Sequence, residues 1–250
     1  PLSFNVGIVS DYLFRGISQT HGDPAISAGV DYAFSNGFYV GAWASTVSWV
    51  KDWTGKGTTE VDLYGGYKGA FAGDWSYDVG AIAYTYPGHG DANSGLANPT
   101  TGEIYGSIGY KWVSVKYSHV VSSHFVGWYG GSNYDKDTRG SGYLEVNATY
   151  DLGDGWGVTG HVGHQKVKDS VTTNTAYDAS YTDWKIGVTK DVGFGVFGLA
   201  YSDTNAKGSC SSSPASSYCF PGNYNSSTNS WSNGKDVAKG KAVLSFTKTF

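Results

Sequence analysis

Six histidines stand in this 250-residue chain, and two of them, His161 and His164, carry the spacing H-x-x-H. On a helix that spacing could bring both imidazoles toward one metal ion. On a strand, residues three apart point to opposite faces, so without a bulge the two cannot share a metal. His21, His89 and His124 fall in segments read as loops, and His119 falls near a strand end. None has ligand-type spacing, so solvated histidines are the expectation, with no metal and no cofactor. The stretch Gly88–His89–Gly90–Asp91 lacks a calcium-loop pattern. Hydrolysis by a Ser, a His and an acid needs all three within hydrogen-bond reach. Strand parity does not bring Ser and His together, and no G-x-S-x-G occurs, so the chain is read as no enzyme.

The remaining candidates for chemistry are charges on one face of many short alternating segments. Arg15, Lys68, Lys111, Lys116, Lys185 and Lys241 share the polar face with Asp11, Asp31, Glu60, Asp62, Asp78, Glu103, Glu145, Asp183 and His161. If that face lines an interior, these groups must be paired, hydrated or both. The signs nearly balance, which argues against a strong charge filter. Asp11 and Arg15 are four residues apart, about 13 Å along a strand, so each needs a partner on another strand.

Twelve segments carry the alternation: 2–15, 25–34, 38–49, 60–69, 75–84, 103–111, 113–120, 143–152, 156–165, 181–189, 194–202 and 241–250. In 60–69, for example, Val61, Leu63 and Tyr67 share one face and Glu60, Asp62, Tyr64 and Lys68 the other. Segment 38–49 is ambiguous, with aromatics on both faces. Short Gly/Asn/Asp links follow every second segment, near 35–37, 72–74, 111–112, 153–155 and 191–193. Long links take the opposite ends, near 16–24, 50–59, 85–102, 121–142, 166–180 and 203–239. Strands that are greasy outside and wet inside, an even count, and loops sorted by length together predict a transmembrane antiparallel up-and-down β-barrel. Residues 1–250 are read as one barrel domain, with 203–239 a long extracellular loop and short turns on the periplasmic side.

Composition fits. Tyr, Trp and Phe make up 16% of the chain, and Tyr and Trp suit a membrane interface. No stretch reaches the roughly 18 apolar residues of a spanning helix. A net charge of −4 offers no basic patch for nucleic acid. The absence of Met and the start at Pro1 suggest a mature chain whose secretory signal has been removed. Cys210 and Cys219 are expected to form a disulfide in an oxidising compartment. The closing alternation to Phe250 resembles the last strand of a bacterial outer-membrane barrel.

Several runs resemble the Gcw_chp family of proteobacterial proteins, some of them labelled TorF. They are Ser10-Asp11-Tyr12, Phe14-Arg15-Gly16-Ile17-Ser18-Gln19, Asp23-Pro24-Ala25 and Gly37-Phe38-Tyr39-Val40-Gly41. Glu60–Tyr67, Tyr84–Gly88, Tyr143–Glu145 and Phe250 fit the same pattern. The resemblance implies an exported outer-membrane protein and brings no catalytic residues. Gly16 and Pro24 punctuate the first long link, which is expected to fold inward with Arg15 at its base.

The preferred expectation is a narrow, substrate-selective channel for small polar solutes in the bacterial outer membrane. Its surroundings would be outer-membrane lipid and lipopolysaccharide, with a homo-oligomer or a protein partner left open. The alternative is a non-conducting barrel that presents its loops to a partner, and a membrane-embedded hydrolase ranks third.

Overall fold

The computed structural model describes residues 1–90, 96–130, 136–170, 178–211, 216–225, 227 and 230–250. Twelve strands close into one antiparallel barrel in which each is hydrogen-bonded to its neighbours in sequence. They are β1 (Leu2–Val9), β2 (Ala25–Ala33), β3 (Phe38–Thr46), β4 (Thr59–Phe71), β5 (Trp75–Thr85) and β6 (Thr101–Tyr110). The second half comprises β7 (Val113–Val120), β8 (Gly142–Gly153), β9 (Trp156–Lys166), β10 (Tyr181–Asp191), β11 (Val196–Thr204) and β12 (Lys241–Thr249). β12 closes on β1, with Val6 opposite Lys248 and Ile8 opposite Phe246. Phe250 and Phe4 exchange backbone hydrogen bonds at that seam.

Closure leaves no sheet edge to satisfy, which is what lets strands cross hydrocarbon. The outer surface is correspondingly apolar. Leu63, Ile104, Leu144, Ile186, Leu199 and Leu244 are each about half exposed or more. At the short-turn end the belt finishes in a girdle of rings in mutual contact. Phe38 meets Tyr67 and Trp75 meets Tyr110, each at 4.9 Å, and Phe197 meets Phe246 at 4.8 Å. Such girdles sit at the membrane–water boundary. β3 is settled by the same criterion: Phe38 and Val40 face out, so Tyr39, Trp43 and Ser45 face in.

Two expectations need correction. The first strand does not run to Arg15; β1 ends at Val9, and residues 10–24 turn into the barrel. Asp11 Oδ1 accepts from Ser18 Oγ at 2.7 Å and Thr20 Oγ1 at 3.0 Å, so local side-chain bonds displace the ladder there. Tyr12 and Phe14 therefore lie inside rather than against lipid. Lys111 does not line the interior. It sits in the tight turn between β6 and β7 with φ 52°, its side chain half exposed and 3.8 Å from Asp74 of the preceding turn.

The dry core lies at the long-loop end, not along the barrel axis. A short helix, α1 (Trp49–Thr54), occupies the link read as loop, and it stops at Gly55 with φ 77°. Its Trp49 and Val50 pack with Tyr86, Leu96, Phe125, Tyr218, Phe220 and Val237 from the other loops. Cys210 and Cys219 are joined. Replacing both by serine is expected to remove up to about 2–3 kcal/mol of local stability, since the bridge closes a short loop. Limited proteolysis within 205–240 should then accelerate, while the folded barrel keeps its heat-modifiable mobility in gels.

Candidate functional site

Residues 10–24 form the central element of the interior. Leu13–Phe14 pairs with Ile17–Ser18, which leaves Arg15-Gly16 as a two-residue turn. Both have positive φ, 49° and 79°, the geometry of a type I′ hairpin turn. Glycine is required at position 16. A Cβ there would stand 2.6 Å from Thr204 Cγ2 and 2.8 Å from Asp183 Cβ, on the β10–β11 wall. The hairpin thus enters the bore and is seated against a wall only two and three strands round from β1.

Arg15 rides at the tip of this hairpin, not at its base. Its guanidinium grips Glu103 of β6 with both arms, Nη1 to Oε1 at 3.0 Å and Nη2 to Oε2 at 2.7 Å. Nη1 also donates to Gln165 Oε1 of β9 at 2.7 Å. The guanidinium lies 4.3 Å from the ring centre of Tyr143 and 4.7 Å from that of Phe14. Burial disfavours its charge, but Glu103 outweighs burial and holds the guanidinium above its ordinary range. Glu103 and Gln165 are 1% and 0% exposed, so this contact is sealed from water.

Asp11 anchors the hairpin's other root, its Oδ2 2.7 Å from Lys241 Nζ of β12. Tyr12 donates to Glu60 Oε1 at 2.6 Å. Burial and the Glu60 carboxylate hold the Tyr12 and Tyr86 hydroxyls well above the usual tyrosine range, so both remain donors. Asp62 lies two residues further on β4 and is also buried.

Below this layer the inward side chains are partly exposed. Tyr39 donates to Asp78 at 2.7 Å and also meets the Tyr105 hydroxyl, and Tyr64 donates to Asp31 at 2.6 Å. Lys116 lies 4.3 Å from the Tyr105 ring centre, opposite Glu145 in register, and Lys68 lies 5.1 Å from that of Tyr39, opposite Asp78. On the other wall Tyr143, still in the buried layer under Arg15, donates to the equally buried Asp183 at 2.8 Å. His161 reaches Asp183 at 2.9 Å, Tyr143 at 2.8 Å and Asn147 at 2.6 Å, while His164 faces out to Thr182. None of those His161 partners is a serine. Five of the inward carboxylates, Asp31, Glu60, Asp78, Asp183 and, from Tyr84 at 3.4 Å, Glu103, thus accept from a tyrosine hydroxyl. Reasoning from the sequence missed this pairing, although Tyr64 and Tyr143 carried the right parity.

The inner walls are unequal. β3 to β7 carry Tyr39, Tyr64, Lys68, Tyr105 and Lys116, whereas β10 to β12 present mostly small side chains beside Lys185, among them Gly187, Thr189, Gly198, Ala200 and Ser245. Along the latter a cavity of about 340 Å³ runs up to the underside of the hairpin, bordered by Asp11, Tyr12, Thr159, Lys185, Ser202 and Ser245. No salt bridge is described for Lys185, which is exposed within this space. The interior is therefore water-accessible toward the short turns and closed toward the long loops.

Solved porins share this architecture. The chain is similar to the NanC porin with a TM-score of 0.59 and 10% identity, covering 99% of this chain and 98% of that one. It is similar to the KdgM porin, solved in complex with disordered oligogalacturonate, with a TM-score of 0.55 and 7% identity, covering 100% and 98%. No curated protein sequence matches the chain. Its fold is a porin-type barrel, and its apolar exterior places it in a bacterial outer membrane. A family match covers residues 1–229, up to but not including the closing strand with Phe250, and the chain belongs to that family, described as bacterial protein of unknown function (Gcw_chp).

Proposed function

We propose that this barrel is a narrow channel for small polar solutes, with residues 10–24 as the element that decides whether it conducts. The observation that carries this reading is the cavity of about 340 Å³ beneath the hairpin. A barrel serving only as a scaffold gains nothing from leaving polar and charged side chains around unfilled space. In this conformation the hairpin closes the path, and it is held by side-chain contacts rather than by the ladder. Asp11, Lys185 and Lys241 line the route or its closed end, and Asp31, Lys68, Asp78, Lys116, Glu145 and His161 line the lower lumen.

A second reading, a non-conducting barrel that presents its loops to a partner, draws on the aromatic layer over the mouth. Phe125, Tyr218 and Phe220 there are almost fully buried. Single-channel recording in planar bilayers separates the two. A channel is expected to show discrete, infrequent openings in the wild-type protein and permeation by small uncharged or singly charged solutes in a liposome-swelling assay. A protein without steps in any buffer or voltage, both as wild type and with the hairpin unseated, would leave only the second reading.

A further inference from the structure

We infer that the inner wall of β9 to β12 holds a binding site for a short-chain monocarboxylate that carries a hydroxyl at its far end. The inference rests on the reading of the barrel as a channel and names the class of solute. Three successive cross-strand rows of side chains make the site.

The upper row is cationic. His161 of β9, Lys185 of β10, Ser202 of β11 and Lys241 of β12 stand opposite one another in register. Ile186 faces out, so Lys185 and Gly187 face in. Both ends of the row are committed: His161 lies 2.9 Å from Asp183 Oδ2, and Lys241 Nζ lies 2.7 Å from Asp11 Oδ2. Lys185, between them, has no acidic partner among the described residues and is exposed to the cavity of about 340 Å³. A carboxylate placed there gains a charge-assisted hydrogen bond from its ammonium, with the Ser202 hydroxyl alongside.

Below Lys185 the wall turns small and then hydroxylated. Thr159, Gly187, Ala200 and Val243 form the middle row, and Gly157, Thr189, Gly198 and Ser245 the lower one. Gly187 and Ala200 add little bulk, so the cavity continues downward past mostly apolar groups. In the lower row the hydroxyls of Thr189 and Ser245 lean over Gly157 and Gly198. Lys185 and Thr189 are four residues apart, about 13 Å along the strand. Two hydrogen bonds of about 3 Å each leave about 7 Å for the solute, oxygen to oxygen, which is the span of a chain of about five carbons.

Two carboxylates limit the solute to one negative charge. Asp183 stands two residues from Lys185 on the same face and is held by Tyr143 and His161. Asp11 borders the cavity and is held by Ser18, Thr20 and Lys241. Their charges are already satisfied, so they do not draw in a cation. A second anionic group on the solute would meet them with no ammonium left to pair with. The cavity is open to water toward the short turns, so a solute reaches it with the hairpin seated.

The test is a titration of the full-length wild-type protein in detergent, followed by saturation-transfer nuclear magnetic resonance. The probes share one straight carbon skeleton: hydroxyvalerate with its hydroxyl on the last carbon, the corresponding diol, valerate and glutarate. Hydroxyvalerate is expected to bind about fivefold more tightly than the diol or glutarate, as one hydrated ammonium–carboxylate contact allows. Its hydroxyl should give about a threefold advantage over valerate. Lys185→Gln should bring hydroxyvalerate down to the level of the diol. Lys166→Gln, on the outward face of β9, should leave the preference intact. Ala200→Leu fills the middle row and should weaken hydroxyvalerate and the diol alike, severalfold. Equal binding of hydroxyvalerate and the diol by wild type, or a preference that survives Lys185→Gln, would overturn the site. Glutarate binding as tightly as hydroxyvalerate would overturn the limit to one charge, and valerate doing so would strike the hydroxyl from the assignment. Binding needs no opening of the hairpin, so conduction in bilayers tests the channel reading separately: a barrel that binds without conducting fails that reading alone.

Discussion

Arg15→Ala is expected to unseat the hairpin and convert a rarely opening barrel into one that conducts persistently. The substitution leaves Glu103 and Gln165 without their partner in a site that water does not reach. Breaking one side of a buried ion pair costs about 3–5 kcal/mol, mostly because the remaining charge is stranded. At about 1.4 kcal/mol per tenfold, the displaced hairpin gains roughly two to three and a half orders of magnitude in population relative to the seated one. The barrel itself should survive, because the ladders of β1 to β12 involve none of these side chains. Open probability in planar bilayers reads the first effect, and heat-modifiable gel mobility reads the second. Adding Glu103→Gln removes the stranded charge and should recover part of the closed population. Gly16→Val offers a steric route to the same end: it keeps the charge pair and drives a Cβ into Thr204 and Asp183 at a residue with φ 79°. Both routes should raise conductance. Unchanged conductance and unchanged thermal stability in Arg15→Ala would remove the hairpin from the gate.

What could be read beforehand follows from how strictly each environment constrains a side chain. Hydrocarbon tolerates almost nothing polar, so Leu63, Leu144 and Ile186 report their face without ambiguity. The lumen tolerates more. Tyr39 and Trp43 face inward because Asp78 needs a donor and Tyr12 a ring to pack against, and neither demand shows in the local sequence of β3. The first segment misled for a related reason. Tyr12 and Phe14 keep the alternation of a strand while belonging to a plug, since a hairpin entering a polar bore has two unlike faces of its own. The Arg15-Gly16 turn was the available signal, weakened by the absence of Asn or Asp at its first position. Lys111 shows the limit of counting parity: one residue beyond the ladder, the backbone has already turned. The partners of Arg15 were out of reach from sequence, because Glu103 and Gln165 lie 88 and 150 residues away.

Lys185 and Ile186 are neighbours in sequence and face different solvents, so the same strand should give opposite answers to charge. Ile186 is 63% exposed on the outer surface. Ile186→Arg is expected to cost about 2–4 kcal/mol, as arginine does near the middle of a bilayer. Reversible folding into phospholipid vesicles, followed by urea titration, measures it. Lys185→Glu should change that stability by less than about 1 kcal/mol, because the side chain stands in a hydrated cavity with no described ion-pair partner. Its effect belongs to permeation. In the Arg15→Ala background, the reversal potential in a salt gradient should shift toward cations, since the β9–β12 wall then carries a carboxylate instead of an ammonium. If the two substitutions were equally tolerated in the folding assay, lipid would not be the solvent outside. If Lys185→Glu left the reversal potential in place, ions would be passing somewhere other than along that wall.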